Sequence, residues 1–268
     1  MNLKPSLVPT VNVIGSPVTA LSFQAQIDII LQWACASKSS FVCVANTHML
    51  IEAYRVIAFW NVLQAADLIT PDGMPLVWML KLLGVRHPDR VAGMDILLAL
   101  CQQAPLHNVA VFFVGSQSDV LDRMQDRLKQ SYPELKIAGM EPLPFAQTAP
   151  EEDEAIIEQI NNSGAKVVFV SLGCPKQEYW MASHKHKIHA VMIGLGGVFP
   201  IYAGIHKYAP KLMRTSGLEW LYRLSREPRR LWKRYASTIP IFVWLAFKQI
   251  FTGFFLAPNQ RESAIHKP

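Results

Sequence analysis

With 268 residues, 51% hydrophobic and 17% charged, the chain has apolar mass for one large folded domain, which excludes a disordered or low-complexity protein. The net charge of +6 is unevenly spread: residues 201–268 hold 12 Lys or Arg against 3 acids, so the basic character belongs to the C-terminal quarter. Cys35, Cys43, Cys101 and Cys174 show no C-x-x-C spacing, which argues against a disulfide framework and for a reducing compartment.

In chain order, strands are expected at 11–15 (VNVIG), 41–46, 67–70, 109–115, 135–139, 166–173 and 190–196. Helical patterns fall at 20–37, 48–64, 75–83, 93–104, 117–131, 151–162 and 176–187; in the fifth, Val120, Met124, Leu128 and Tyr132 share a stripe. Several strands are apolar on both faces, as a sheet covered on both sides requires. The expected fold class is therefore α/β, a Rossmann-like, mostly parallel sheet flanked by helices. The alternation stops near Gly204, which sets residues 1–203 apart from a basic, amphipathic helical appendage, 204–268.

The N-terminus lacks the apolar segment and cleavage site of a signal peptide. The greasy run 239–256 is interrupted by Lys248, Gln249, Thr252 and Gly253, so a helix lying in a membrane interface is expected rather than one crossing it. The cluster His184, His186 and His189 has spacings that do not share one helix face, so it reads as a solvated helix end and no metal site is expected.

In open α/β sheets, ligands sit at the carboxyl ends of the strands. After 67–70 comes TPDGMP, where Asp72 is either a turn former or a general base. After 41–46, Asn46 either caps a helix or binds substrate. Strand 109–115 ends in Gly115 followed by hydroxyls, a weak phosphate-binding pattern. GCPKQEYW places Lys176 and Gln177 at a helix mouth after Gly173, and GLGGVFP carries Gly194, Gly196 and Gly197. These glycines either pack closely or let a ligand approach the backbone.

The stretch GLEWLYRLSREPRRLWKRY, 217–235, packs six Arg or Lys among two Trp and two Tyr. Nucleic acid, a membrane surface and substrate phosphates all suit such a composition. The segments ADLITPDGMPLVWMLKLLG, RVAGMDIL, GCPKQEYW, IGLGGVFPIYAG and EWLYRLSREPRR together resemble the WecG/TagA/CpsF family of bacterial glycosyltransferases, over about residues 40–240. That resemblance implies an inverting transfer from a UDP-sugar of the N-acetylmannosamine, N-acetylmannosaminuronic acid or glucose type, and the lack of a D-x-D triplet makes a metal-independent one the expectation. The implied acceptor is an undecaprenyl-diphosphate-linked sugar, used in cell-surface polysaccharide synthesis on the cytoplasmic face of the inner membrane.

It further implies Asp72 as the base, roles for Asn46 and Gln177, and diphosphate or membrane contacts through Arg223, Arg230 and Lys233. No cofactor is expected. The implied partners are the UDP-sugar, the lipid-linked acceptor, the inner-membrane surface and, through self-association, a second copy of the chain, with nucleic acid excluded. The rival reading is a non-catalytic membrane-surface or nucleic-acid binding protein that uses the basic region alone. Two positions depart from the family pattern: Val44 stands where Thr is common, and Pro200 where Asp is common.

Overall fold

A computed structural model describes residues 8–143 and 150–252. The chain opens with a hairpin: β1 (Thr10–Val13) and β2 (Ser16–Thr19) pair antiparallel around Ile14 and Gly15. Both turn residues have positive φ, 50° and 82°, the two-residue turn that matches strand twist. The strand expected at 11–15 is thus one arm and a turn, and it stays out of the main sheet. An apolar letter at the turn hid it, because Ile14 is buried there.

Six strands form the main sheet: β3 (Ser40–Ala45), β4 (Leu68–Pro71), β5 (Val111–Gly115), β6 (Ile137–Glu141), β7 (Val167–Ser171) and β8 (Val191–Gly194). Every pairing is parallel, in the order β4-β3-β8-β7-β5-β6. From β3 the chain steps outward to β4, crosses to β5, steps outward again to β6, and returns to fill the middle with β7 and β8. The central strands β3, β5, β7 and β8 are buried throughout, which explains their near-continuous apolar sequences.

The helices between them are α1 (Phe23–Cys35), α2 (Thr47–Arg55), α3 (Ile57–Ala65), α4 (Met74–Leu82) and α5 (Gly93–Gln103). After these come α6 (Ser118–Ser131), α7 (Pro150–Asn162), α8 (Lys176–His184) and the short α9 (Val198–Tyr202). The single helix expected at 48–64 is two, because Val56 takes an extended conformation and caps α3. Alternate side chains divide the core. Phe41, Cys43 and Ala45 of β3 pack with α2, α3, α4, α7 and α8, while Val42 and Val44 pack with α1, α5, α6 and α9. The α/β class, with a parallel sheet flanked by helices, is what the alternation of the sequence implied.

Three helices follow: α10 (Lys211–Thr215), α11 (Glu219–Arg226) and α12 (Pro228–Thr252). Pro228 occupies the first turn of α12, where its missing N–H costs nothing. Leu231, Thr238, Phe242, Leu245, Ala246 and Gln249 form the buried stripe of α12, which packs along α2. Gln249 interrupts the greasy run in sequence and secures it in space: its Oε1 accepts from the Ile14 N–H at 2.9 Å and its Nε2 donates to the Asn12 carbonyl at 2.7 Å. Pro240 lies inside this helix, and the nearby Ser237 carbonyl accepts from Arg55 Nη2 at 2.7 Å. The last residues of the run, 253–256, lie outside the described residues.

The histidine cluster is not wholly the solvated helix end its spacing suggests. His184 is buried, stacks on Trp180 with ring centroids 4.0 Å apart, and meets Asp153 of α7 through Nε2 at 3.1 Å. Only His186 and His189 are exposed, so this helix end is half core and half solvent.

Candidate active site

The helices that follow β3 and β8 leave to opposite faces of the sheet, so a crevice opens between these neighbours at their carboxyl ends. Asn46, Asp72 and the glycine turn 194–197 all follow strands at this edge. The Asp72 N–H donates to the Ala45 carbonyl at 2.9 Å, which fixes the P-D-G turn against the end of β3. Asn46 performs the capping role, its Oδ1 accepting from the Met49 N–H at 3.2 Å, and its Cβ lies 3.9 Å from where a Cβ on Gly73 would stand. Val44 is buried in the apolar core beside Gly93.

The side chain of Asp72 is 29% exposed. Burial pushes its pKa up to about 6, against the pull of Arg90 and with a further push from Glu219. Arg90 Nε donates to the Asp72 carbonyl oxygen at 2.5 Å, while its Nη2 lies 3.5 Å from Asp72 Oδ1 and 2.7 Å from Glu219 Oε2. Arg90 and Glu219 escaped the sequence reading. Arg90 follows no strand, and Glu219 stood among basic letters that drew attention to charge of the other sign.

A second corner gathers Gly173, Gln177, Gly194 and Gly196. Gln177 is buried; its Oε1 accepts from the Gly173 N–H at 3.2 Å and its Nε2 donates to Glu178 Oε1 at 2.7 Å. A Cβ on Gly194 would stand 2.8 Å from Gln177 Nε2, and one on Gly196 3.1 Å from Gln177 Oε1. Glu178 is fully buried, and burial lifts its pKa to about 7 although Gln177, its own backbone N–H and Cys174 all hydrogen-bond to it. Gly115 is buried against the Ser171 carbonyl, 2.6 Å from its hypothetical Cβ, and Lys176 is exposed at the start of α8.

Beside these corners, α11 and the start of α12 face α9 and the segment after it across a cavity of about 270 Å³. Gly197, His206, Lys207, Arg223, Arg226 and Arg230 contribute to its walls, with Glu219 and Glu227. Arg223 Nη2 lies 3.1 Å from the position of a Cβ on Gly197. Arg230 is paired with Glu227, whereas Lys207, Arg223 and Arg226 form no ion pair among the described residues. Pro200 also lines this cavity, and its carbonyl accepts from the N–H groups of Ile205 and His206. Lys233 lies outside it, exposed on α12, 5.9 Å from the ring centre of Trp232. A larger cavity, about 460 Å³, sits between α5, α6 and α9 and includes none of the strand-end residues, so the cationic one is the candidate.

A parallel sheet with a carboxylate raised toward neutrality at its carboxyl edge, a clamped arginine next to it and a cationic cavity alongside defines a Rossmann-like α/β protein whose titratable and cationic groups gather at the strand ends. The profile of the Glycosyl transferase WecG/TagA/CpsF family matches residues 11–254, and the chain belongs to that family. The match runs from the hairpin through α12, so the C-terminal helices lie within the shared part.

Curated relatives agree. The chain is 34% identical over 213 residues, 79% of its length and 80% of the relative's, to the N-acetylglucosaminyldiphosphoundecaprenol N-acetyl-beta-D-mannosaminyltransferase of Bacillus spizizenii (strain ATCC 23059 / NRRL B-14472 / W23). It is 32% identical over 209 residues to the protein of the same name from Bacillus subtilis (strain 168), covering 78% of this chain and 79% of the other.

Proposed function

We propose that the protein transfers a hexosyl group from a UDP-sugar to a polyprenyl-diphosphate-linked sugar, with inversion at the anomeric carbon and without a metal. The observation that carries this reading is Asp72, a half-buried carboxylate poised near neutrality at the sheet edge and linked through Arg90 to Glu219 on the wall of a cavity rich in arginine. The names of the relatives make N-acetylmannosamine the first donor sugar to test and N-acetylglucosaminyl-diphospho-undecaprenol the first acceptor.

In the reaction, the acceptor hydroxyl oxygen attacks the anomeric carbon and its proton passes to Asp72. The bond from that carbon to the diphosphate breaks, and the electron pair stays with the departing UDP. Lys207, Arg223, Arg226 and Arg230 offset its growing negative charge, while Gly173 and Gly197 let the donor approach the backbone and Gly194 and Gly196 make room for Gln177 beneath it. Gln177 holds that glycine floor in place, Lys176 stands at its mouth, and Asn46 keeps the turn bearing Asp72 beside the helix it caps.

Among the described residues no helix is long and apolar enough to cross a membrane. The outward face of α12 nonetheless exposes Val243, Trp244, Phe247 and Phe251, with Lys233 and Lys248 on the same helix. That face suits peripheral attachment at the cytoplasmic side of the inner membrane, where a lipid-linked acceptor resides. Purified protein given a panel of UDP-sugars and a short-chain prenyl-diphosphate-N-acetylglucosamine tests the proposal. Transfer from UDP-N-acetylmannosamine is expected in the presence of EDTA; no transfer from any UDP-sugar would refute it.

A further inference from the structure

Arg90 is held within reach of Asp72 by more than its own side chain. The Val91 N–H donates to the Pro71 carbonyl at 2.9 Å and Thr70 Oγ1 donates to the Val91 carbonyl at 3.3 Å, so the strand bearing the P-D-G turn and the segment bearing Arg90 are laced together. Arg90 Nε is spent on the Asp72 carbonyl oxygen. Of the two Nη groups, Nη2 faces two carboxylates, which compete for its charge: Glu219 at 2.7 Å and Asp72 at 3.5 Å. The first is a charge-assisted hydrogen bond of ordinary length, and the second is at the outer limit of one. All three side chains are largely shielded, with 16%, 23% and 29% exposure for Arg90, Glu219 and Asp72, so water screens this competition weakly.

An unopposed guanidinium this close would lower a carboxylate's pKa by about 1–3 units and make it a poorer base. We propose that Glu219 is a positioning residue for the transfer reaction: it takes the shorter Nη2 contact and offsets the charge of Arg90, and so leaves the Asp72 carboxylate able to accept the proton of the attacking hydroxyl. The inference rests on the reading of Asp72 as the base. The other charged groups that face Asp72 are Arg223, from the same helix as Glu219, which opposes the effect, and Asp95 of α5, which assists it; Tyr208 faces Arg90. Of these, Glu219 is the one bonded directly to Arg90. The single acid that opens α11 therefore has a chemical task within a segment otherwise dominated by arginine.

A purely structural role for Glu219, pinning α11 to the sheet edge, would leave a different signature. The test uses the full chain with Glu219→Gln and Glu219→Asp and follows kcat/KM for sugar transfer against pH. In Glu219→Gln the acid limb should move about one unit toward lower pH, and the plateau should fall because the base is weaker. Glu219→Asp should keep the limb within a few tenths of a unit of the parent. A lowered plateau with an unmoved limb would mean pinning alone and would overturn the proposal.

A second readout does not depend on turnover: the carbon-13 NMR titration of the Asp72 carboxyl, assigned by its loss in Asp72→Asn. Glu219→Gln should lower that titration midpoint, and an unchanged midpoint overturns the proposal whether or not transfer is seen. A lowered midpoint in a protein that transfers no sugar supports the charge coupling and instead overturns Asp72 as the base.

Discussion

Asp72 and Glu178 are both carboxyls that burial pushes toward neutrality, to about 6 and about 7, yet they sit in corners built on opposite plans. Around Asp72 the neighbours are charged and come from three separate segments, and the side chain keeps an open side. Around Glu178 they are neutral donors from its own helix and the turn before it, and no part of the residue reaches solvent. The first arrangement leaves a carboxylate with one side open to the crevice. The second leaves one that can only hold its neighbours, Gln177 and through it the glycine floor. A raised pKa alone does not mark a carboxylate as a candidate base; exposure and the sign of the neighbouring charges set the two corners apart.

The sharpest break of this contrast is Asp72→Asn, which should lower turnover by about 10²–10⁴-fold while thermal melting and circular dichroism stay close to the parent. Turnover within tenfold of the parent would remove Asp72 from its role. Next in size is Gly194→Ala. Its φ admits alanine, but the new Cβ meets Gln177 Nε2 at 2.8 Å and Met181 Cε at 2.9 Å. Met181 can yield; Gln177 can do so only by releasing Gly173 or Glu178. A loss of about 1–3 kcal/mol is expected, seen as a melting point several degrees lower and reduced transfer.

Smaller still is the effect of Glu178→Gln, which reads out in pH dependence. The folded carboxyl titrates near 7 and its unfolded counterpart near 4.5. The folded state thus binds the proton more tightly, and the parent loses stability as pH rises through that window. The Gln variant lacks this loss, so its melting temperature relative to the parent should climb by a few degrees between pH 5 and pH 8. A constant difference across that range would show that Glu178 does not titrate there. The smallest change in catalysis is expected from Trp244→Ser with Phe247→Ser on the exposed face of α12, where transfer to a water-soluble acceptor should be unaltered. Flotation with anionic vesicles should fall severalfold, and unchanged flotation would show that this face does not meet lipid.

Sequence gave access to these two corners unequally, for physical reasons. Buried parallel strands such as β5 and β7 announce themselves as apolar runs, and Asp72 stood out because a lone acid between Pro71 and Gly73 followed one of them. Gln177 and the glycines were visible on the same principle of strand ends. Arg90 was not, since it lies in an irregular segment that only the fold returns to the end of β4. Glu219 was masked by composition, and the bond joining them spans 129 residues, beyond the reach of any local pattern. The hairpin and the division between α2 and α3 were also missed: in the first, the apolar Ile14 beside Gly15 made the turn read as the end of a strand, and in the second the apolar Val56 stands where a polar or glycine breaker would have signalled the break. His184 looked solvated because its partner, Asp153, comes from another helix.

The central claim is that a carboxylate near neutrality, Asp72, accepts the proton when the glycosidic bond forms. The most direct test is the pH dependence of kcat/KM for transfer from UDP-N-acetylmannosamine, followed from pH 4.5 to 8. A base must be ionised to act, so the rate should rise with pH through a single limb near 6, and that limb should vanish in Asp72→Asn along with most of the activity. A profile that is flat across this range, or a limb that survives in Asp72→Asn, would contradict the account.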